Sequence, residues 1–283
     1  THDTSSLPYF SPEHELLRAQ IRRFVETEIK PYAQAWEDQG FVPREVLRRM
    51  GELGFFGIRY PQQYGGSEMD VLASVVLAEE LGRSTFGGVA ITVLVHTDMA
   101  SVHIYNSDNQ AIRDRFMPDI ISGKKIVAVA VTEPDAGSDV KNIRTRARRD
   151  GNDYLLNGTK MFITNGIYAD LYCVAAKRTQ DARPSESISM FLVERDRPGF
   201  RVGKKLEKHG WLSSDTAELI FEDCRIPQSN LLGAEGRGFY AIMRTFQNER
   251  VVMGAMAMGE AQAAIDLTLA WVTHRQAFGS PLW

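Results

Sequence analysis

The hydrophobic pattern of this chain changes period twice, and no other feature constrains its fold as much. Before residue 122 the apolar residues recur at helical spacing. Leu16, Leu17, Ile21, Phe24, Val25 and Ile29 form one such stripe. Ser11 ahead of Pro12 reads as an N-cap with proline at the first helical position, and Pro31 ends that helix. Further helices are expected over 43–53, 69–81, 89–105 and 109–121. The segment 89–105 is apolar and small throughout and is expected to be buried. From 126 to 232 the pattern becomes short β-type runs, at 126–131, 144–149, 153–158, 172–176 and 189–193. Asp150-Gly151-Asn152 and Asn157-Gly158 read as turns between them. Beyond Gly236 the helical period returns over 238–275 as one long helix, with Gly254 and Gly259 as its weak points.

Helices, then strands, then a helix imply an α+β architecture. An N-terminal α-helical domain (1–125) precedes a middle β-barrel-like domain (126–234) and the start of a C-terminal helical bundle (235–283). One long helix cannot bury its own apolar stripe. That last block must therefore pack on the first two domains, on another subunit, or on further chain. With 43% hydrophobic and 24% charged residues among 283, the composition suits a soluble globular protein with a sizeable core. A net charge of -3 lacks the basic surplus of nucleic-acid binders. No run of 18 apolar residues occurs, so no membrane span is expected. Residues 1–10 lack the pattern of a signal peptide. Cys173 and Cys224 suggest no disulfide framework and point to a reducing compartment. The six histidines show no metal-ligand spacing, and no metal site is expected.

The segment from Val129 to Asp139, VAVTEPDAGSD, leads a strand into a tight polar turn. Such a turn presents backbone N–H groups together with the hydroxyls of Thr132 and Ser138. This suits a polarised heterocycle or an anion; an ordinary β-turn with Pro134 at its second position is the alternative. On the long helix, Glu249 has Thr245, Phe246, Val252 and Met253 at three and four residues' distance. None is cationic, so desolvation would raise its pKa. A structural glutamate, paired with a distant arginine or facing solvent, is the other reading. Taken alone, Arg275 is a solvated helix-end cation and Phe278 a packing residue. His96 reads as a buried, hydrogen-bonded histidine, Met253, Met256 and Met258 as helix packing, and Lys204, Lys205 and Lys208 as a solvated run.

The turn closely resembles the signature turn of acyl-CoA dehydrogenases. Four more segments resemble that family in the same order: Asn157 to Gly166 (NGTKMFITNG); Pro198-Gly199-Phe200 with Leu206 to Ser214; Phe221 to Pro227 with Asn230 to Gly233; and Arg275-Gln276-Ala277-Phe278-Gly279. The resemblance implies an FAD enzyme that removes the α-proton of an acyl-CoA and passes the β-hydride to flavin N5. It places Val129, Val131, Thr132, Ser138, Phe162, Ile163 and Thr164 along the flavin, with Ser138 also reaching CoA. Arg275, Gln276 and Phe278 would hold the diphosphate and adenosine end of FAD across a subunit interface. Asn248-Glu249-Arg250 matches the isovaleryl- and long-chain-type position of the catalytic glutamate, with Gln247 and Arg250 toward substrate. The resemblance further implies an electron-transferring flavoprotein as acceptor and a homodimer or homotetramer. It implies fatty-acid β-oxidation in a bacterial cytoplasm or mitochondrial matrix, and a C-terminal bundle that is incomplete here. An oxidase or monooxygenase on the same fold, or a non-catalytic relative, are the competing functions.

Overall fold

The computed structural model describes residues 9–178 and 186–283; His2 and most of the 1–10 segment lie outside them. Helix α1 (Pro12–Phe24) opens with a reciprocal cap. The Ser11 side chain accepts from the His14 N–H, and His14 Nδ1 accepts from the Ser11 N–H. A π-helical turn (Val25–Ile29) continues it toward Pro31. Next come α2 (Ala33–Gln39), α3 (Arg44–Glu52) and α4 (Val71–Gly82). α2 has no counterpart in the sequence reading. It is two turns long, starts directly after Pro31 and stops at Gly40 in the left-handed conformation (φ 81°).

The expected helix over 89–105 is present in three pieces: α5 (Gly87–Leu94), a π-helical segment (Val95–Ala100) and α6 (Ser101–Tyr105). The whole Gly87–Tyr105 stretch is long and apolar enough to cross a membrane, yet 94% of its apolar window is buried inside the molecule. It is the axis of the core. α7 (Gln110–Ile121) completes the helical layer.

The β region is one sheet of eight strands: β1 (Val127–Ala130), β2 (Arg146–Asp150), β3 (Asp153–Thr164), β4 (Leu171–Arg178), β5 (Ile188–Glu194), β6 (Phe200–Lys205), β7 (Thr216–Pro227) and β8 (Leu231–Leu232). Their order is β6-β7-β3-β2-β4-β5-β8, with β1 added parallel to β4. Asn157-Gly158 is not a turn: it lies inside β3, at the first of two register shifts against β7. Gly158 is needed there because a Cβ would stand 2.7 Å from Thr145 Cα, where β2's leading end crosses β3. Chain continuing on the far side of the bulge makes β3 a twelve-residue strand, not a six-residue one.

Helix α8 (Gly238–His274) runs unbroken through Gly254 and Gly259. Gly259 serves close packing, since a Cβ would meet the Glu79 carbonyl of α4 at 2.1 Å. Val252 and Met256 enter the same core as α4 and α5. Met258, Ile265, Leu267, Leu269 and Trp271 are exposed on the outer half. A two-residue hairpin of β9 (Gln276–Ala277) and β10 (Ser280–Pro281) follows.

Side chains tie the helical layer to the sheet. Arg44 Nη1 donates to Asp170 Oδ2 at 2.8 Å, and the same oxygen accepts the Ile126 N–H at 2.8 Å. His96 Nδ1 accepts from the Val127 N–H, so its proton sits on Nε2 and is donated to the Ile120 carbonyl at 3.1 Å. Burial lowers this ring to about 4, which keeps it neutral.

The strongest tie is a buried ion pair. Lys160 of β3 is fully enclosed; its Nζ donates to Glu133 Oε1 at 2.7 Å and to the Val131 carbonyl at 2.9 Å. Glu133 also accepts the N–H groups of Arg144 and Thr145. Burial pushes this carboxyl upward, but the Lys160 charge and these hydrogen bonds outweigh it and leave it lowered. Lys160→Met should destabilise the chain by about 3–5 kcal/mol, because it leaves Glu133 charged and enclosed. Adding Glu133→Gln should restore most of that loss, as urea denaturation of the single and double variants would show.

Candidate active site

The turn after β1 closes on itself. The Glu133 N–H donates to the Ala136 carbonyl at 2.9 Å, and the Ala136 N–H returns to Glu133 at 3.2 Å. Its neighbour is β3, whose Met161 N–H donates to the Thr132 carbonyl at 2.9 Å. Between Lys160 and Ile163 the pairing of β3 with β7 shifts register a second time. Phe162 sits in this bulge with φ 60°, and 65% of its surface is exposed. A bulky residue in that backbone region stores about 1–3 kcal/mol of strain. The hydroxyls of Thr132, Ser138 and Thr164 make no hydrogen bond to any described residue. The structure therefore sets Val131 and Thr132 beside Phe162, Ile163 and Thr164, with Phe162 and Ser138 exposed, Thr132, Thr164 and Val129 half-buried, and Val131 and Ile163 buried.

The N-terminal half of α8 shares an apolar cluster with this turn. Ile242 belongs to the apolar cluster that holds Val131, Ala136 and Val140, and Phe246 packs against it. Lys141 Nζ lies 5.0 Å from the centre of the Phe239 ring. Glu249 follows Ile242 by seven residues, two turns along the same stripe. The preceding residue anchors the helix: Asn248 Oδ1 accepts from Arg59 Nη1 at 2.8 Å, and its Nδ2 donates to Asp98 Oδ1 at 3.3 Å. Asp98 lies in the π-helical segment, which also packs against β1. That segment is thus shared by the strand carrying the turn and the helix carrying Glu249.

Glu249 itself has no ion pair with any described residue, and its Oε1 is buried without a hydrogen-bond partner. Burial pushes its carboxyl up to about 7, against the opposing charge of Arg250. Such a group is poised between base and acid near neutral pH. Arg250 is exposed and lies over the Phe246 ring at 6.0 Å. Gln247 is exposed.

Arg275, Gln276 and Phe278 are not part of this surface. From Ile242 to Arg275, α8 runs about 50 Å at the usual rise per residue. Arg275 and Gln276 are exposed there, and Phe278 is fully exposed with φ 53°. Sequence reasoning missed Lys160 as the tie behind the turn, and Asn248 with Asp98 and Arg59 as the anchor beside Glu249. The only sequence signal for the first was a lysine at an inward position of a strand.

The profile of the acyl-CoA dehydrogenase N-terminal domain matches residues 11–124, that of the middle domain 128–224, and that of the C-terminal domain 236–283. The long-chain specific acyl-CoA dehydrogenase of Rattus norvegicus mitochondria is 41% identical over 95% of this chain; the chain spans 63% of that relative's length. An acyl-CoA dehydrogenase of Bacillus subtilis is 37% identical over 97% of this chain and 72% of its own. The crystal structure of acyl-CoA dehydrogenase from Geobacillus kaustophilus superposes with a TM-score of 0.93 at 42% identity, covering 97% of this chain and 72% of that one. The glutaryl-CoA dehydrogenase of Mycobacterium smegmatis, solved with FADH2, has a TM-score of 0.88 at 31% identity over 96% of this chain and 68% of its own. On sequence and fold together, the chain belongs to the acyl-CoA dehydrogenase family.

Proposed function

We propose that this protein is an FAD-dependent acyl-CoA dehydrogenase in which Glu249 removes the α-proton of the acyl thioester. The observation that carries this reading is half-buried Glu249, whose Oε1 is buried without a hydrogen-bond partner, on the α8 stripe that shares an apolar cluster with the polar turn. FAD, when bound, supplies the acceptor for the β-hydride. The residues present suit that group. Three free hydroxyls at Thr132, Ser138 and Thr164 can meet the polar edge of a planar ring, and the exposed Phe162 ring can lie against its body. Val131 and Ile163 set the backbone of that surface.

Ionised Glu249 takes the proton onto its carboxylate. Its apolar setting makes the carboxylate basic enough for a weak carbon acid, and a pKa near 7 keeps half of it ionised at neutral pH. Ser138, Gln247 and Arg250 are exposed, and they are assigned to the CoA moiety. Arg275, Gln276 and Phe278 are assigned to the FAD of a second copy, because the length of α8 keeps them from their own chain's turn. The protein on this reading is a homo-oligomer and passes electrons to an electron-transferring flavoprotein. Its relatives include mitochondrial and bacterial enzymes, and either setting is compatible with it.

Glu249→Gln should lower the rate of anaerobic flavin bleaching by acyl-CoA by about 10²–10⁴-fold. Flavin content and thioester binding should stay as in the parent; bleaching at the parental rate would remove Glu249 from the role. The same variant tests the pKa independently. A folded-state value of about 7 against an ordinary 4.5 means that the protonated form stabilises the fold fully below pH 4.5. That contribution is lost as pH rises through 7. Glu249→Gln should match the parent at pH 4 and exceed it by up to about 3 kcal/mol at pH 8, read by urea denaturation. Arg275→Ala with Phe278→Ala should cost FAD affinity. Mixing this variant with a Thr132→Ala chain should recover FAD binding in part, which a site confined to one chain could not do.

A further inference from the structure

A cleft lies between the turn joining α6 to α7, strand β8 and the first turns of α8, and occupies about 490 Å³ with its open mouth. Its polar lining is His103, Asn106, Ser107, Arg237, Arg244 and Thr245. No carboxylate lines it among the described residues. Both hydroxyls are already used: Ser107 donates to the Ile104 carbonyl at 2.7 Å, and Thr245 to that of Ala241 at 3.0 Å.

The cations are not. Neither Arg237 nor Arg244 forms an ion pair with any described residue. The Arg237 guanidinium instead lies over the Tyr240 ring at 4.4 Å. Behind the cleft, Arg113 donates to the Ser107 carbonyl, and its buried Nε has no hydrogen-bond partner. Other arginines of this chain are matched where they tie elements together, as Arg44 is by Asp170 and Arg83 by Asp266.

The floor of the cleft adds an independent observation. His103 is only 5% exposed, yet its ring makes no hydrogen bond to any described residue. The ring lines the cleft, so an occupant of the cleft can supply the hydrogen-bond partner. Burial lowers it to about 4, and a neutral ring still carries one N–H donor. The α8 N-terminus has no side-chain cap, and its positive pole adds to the same field.

We propose that this cleft is a binding site for a small oxyanion, held by Arg237 and Arg244 with the His103 ring donating from the floor. The side of α8 involved is set by spacing. Arg237, Ala241, Arg244 and Thr245 recur at three and four residues, and the two arginines lie about a third of a turn or more around the helix from Glu249. Its inner wall, with Met190, Leu232 and Ala241, has room for a short apolar body behind the charged head. A phosphate monoester and a short carboxylate share the recognised chemistry. An occupant would link α6 to α8 just before the Asn248–Asp98 anchor.

Calorimetric titration of the whole chain, in chloride buffers of matched ionic strength, tests this with inorganic phosphate and with butyrate as separate probes. Saturable binding of one equivalent is expected for at least one probe, and which one binds identifies the headgroup. Arg244→Gln should weaken it at least about tenfold. His103→Gln should also weaken it, while Arg148→Gln, an exposed arginine of β2, should not. Absence of saturable binding by both probes overturns the proposal, and so does an equal loss in the Arg148 variant. The titration needs no FAD and no turnover, so its outcome is separate from that of the dehydrogenase reading.

Discussion

The arrangement depends on one enclosed contact, the ion pair of Lys160 with Glu133. Burying both charges is unfavourable unless the geometry is close and every remaining donor and acceptor is used. Here Lys160 also reaches the Val131 carbonyl, and Glu133 takes two backbone N–H groups at the start of β2. The pair therefore fixes three chain segments at once: the turn, the bulge of β3 and the lead into β2. A pair of apolar residues could fill the space, but would not set the register of β3 against the turn. That register is what places Phe162 in the bulge, where a strained backbone turns its ring outward. Strain of this kind persists only where the surroundings over-determine it, and the ion pair is what over-determines it here.

The other half of the site is a helix held against a helix. The π-helical segment 95–100 gives the core axis an extra residue per turn, and its Asp98 reaches Asn248 while its neighbours pack against β1. Thr97 Oγ1 donates to Asp98 Oδ2 at 2.7 Å, and the Tyr60 hydroxyl donates to the Thr97 carbonyl at 2.9 Å. The polar groups of this seam are thus consumed by one another. Glu249, one residue beyond the seam, is left facing apolar neighbours with nothing to neutralise it but Arg250. Its raised pKa follows from this division of partners between adjacent residues.

Period was the signal the sequence carried best. The long helices α4, α7 and α8, and the buried run from Gly87 to Tyr105, were legible because their apolar residues repeat over several turns. The short α2 was not, since two turns between Pro31 and Gly40 carry too few repeats. Asn157-Gly158 has the composition of a turn, but the glycine answers a close approach by Thr145 instead, and only the tertiary pairing shows this. β6 and β7 were embedded in recognised motifs without being read as strands. The setting of Glu249 was legible because helix neighbours are local. The partners of Lys160 and Asn248 lie 27 and 150 or more residues away, and no local pattern encodes them.

The length of α8 adds a constraint of its own. A single helix carries Glu249 near one end and Arg275 at the other, and it stays unbroken between them. A helix packed along its inner half on α4 and α5 is a stiff rod, so its outer end is fixed relative to its own turn. The exposed apolar residues from Met258 to Trp271 lie on this outer half, with a fully exposed Phe278 just beyond it. Phe162 and Phe278 share two properties: a left-handed backbone and an uncovered ring. Both are unfavourable in water and both invite a planar partner. Phe162 lies in the sheet and Phe278 beyond the far end of α8, so the two rings stand on separate parts of the chain.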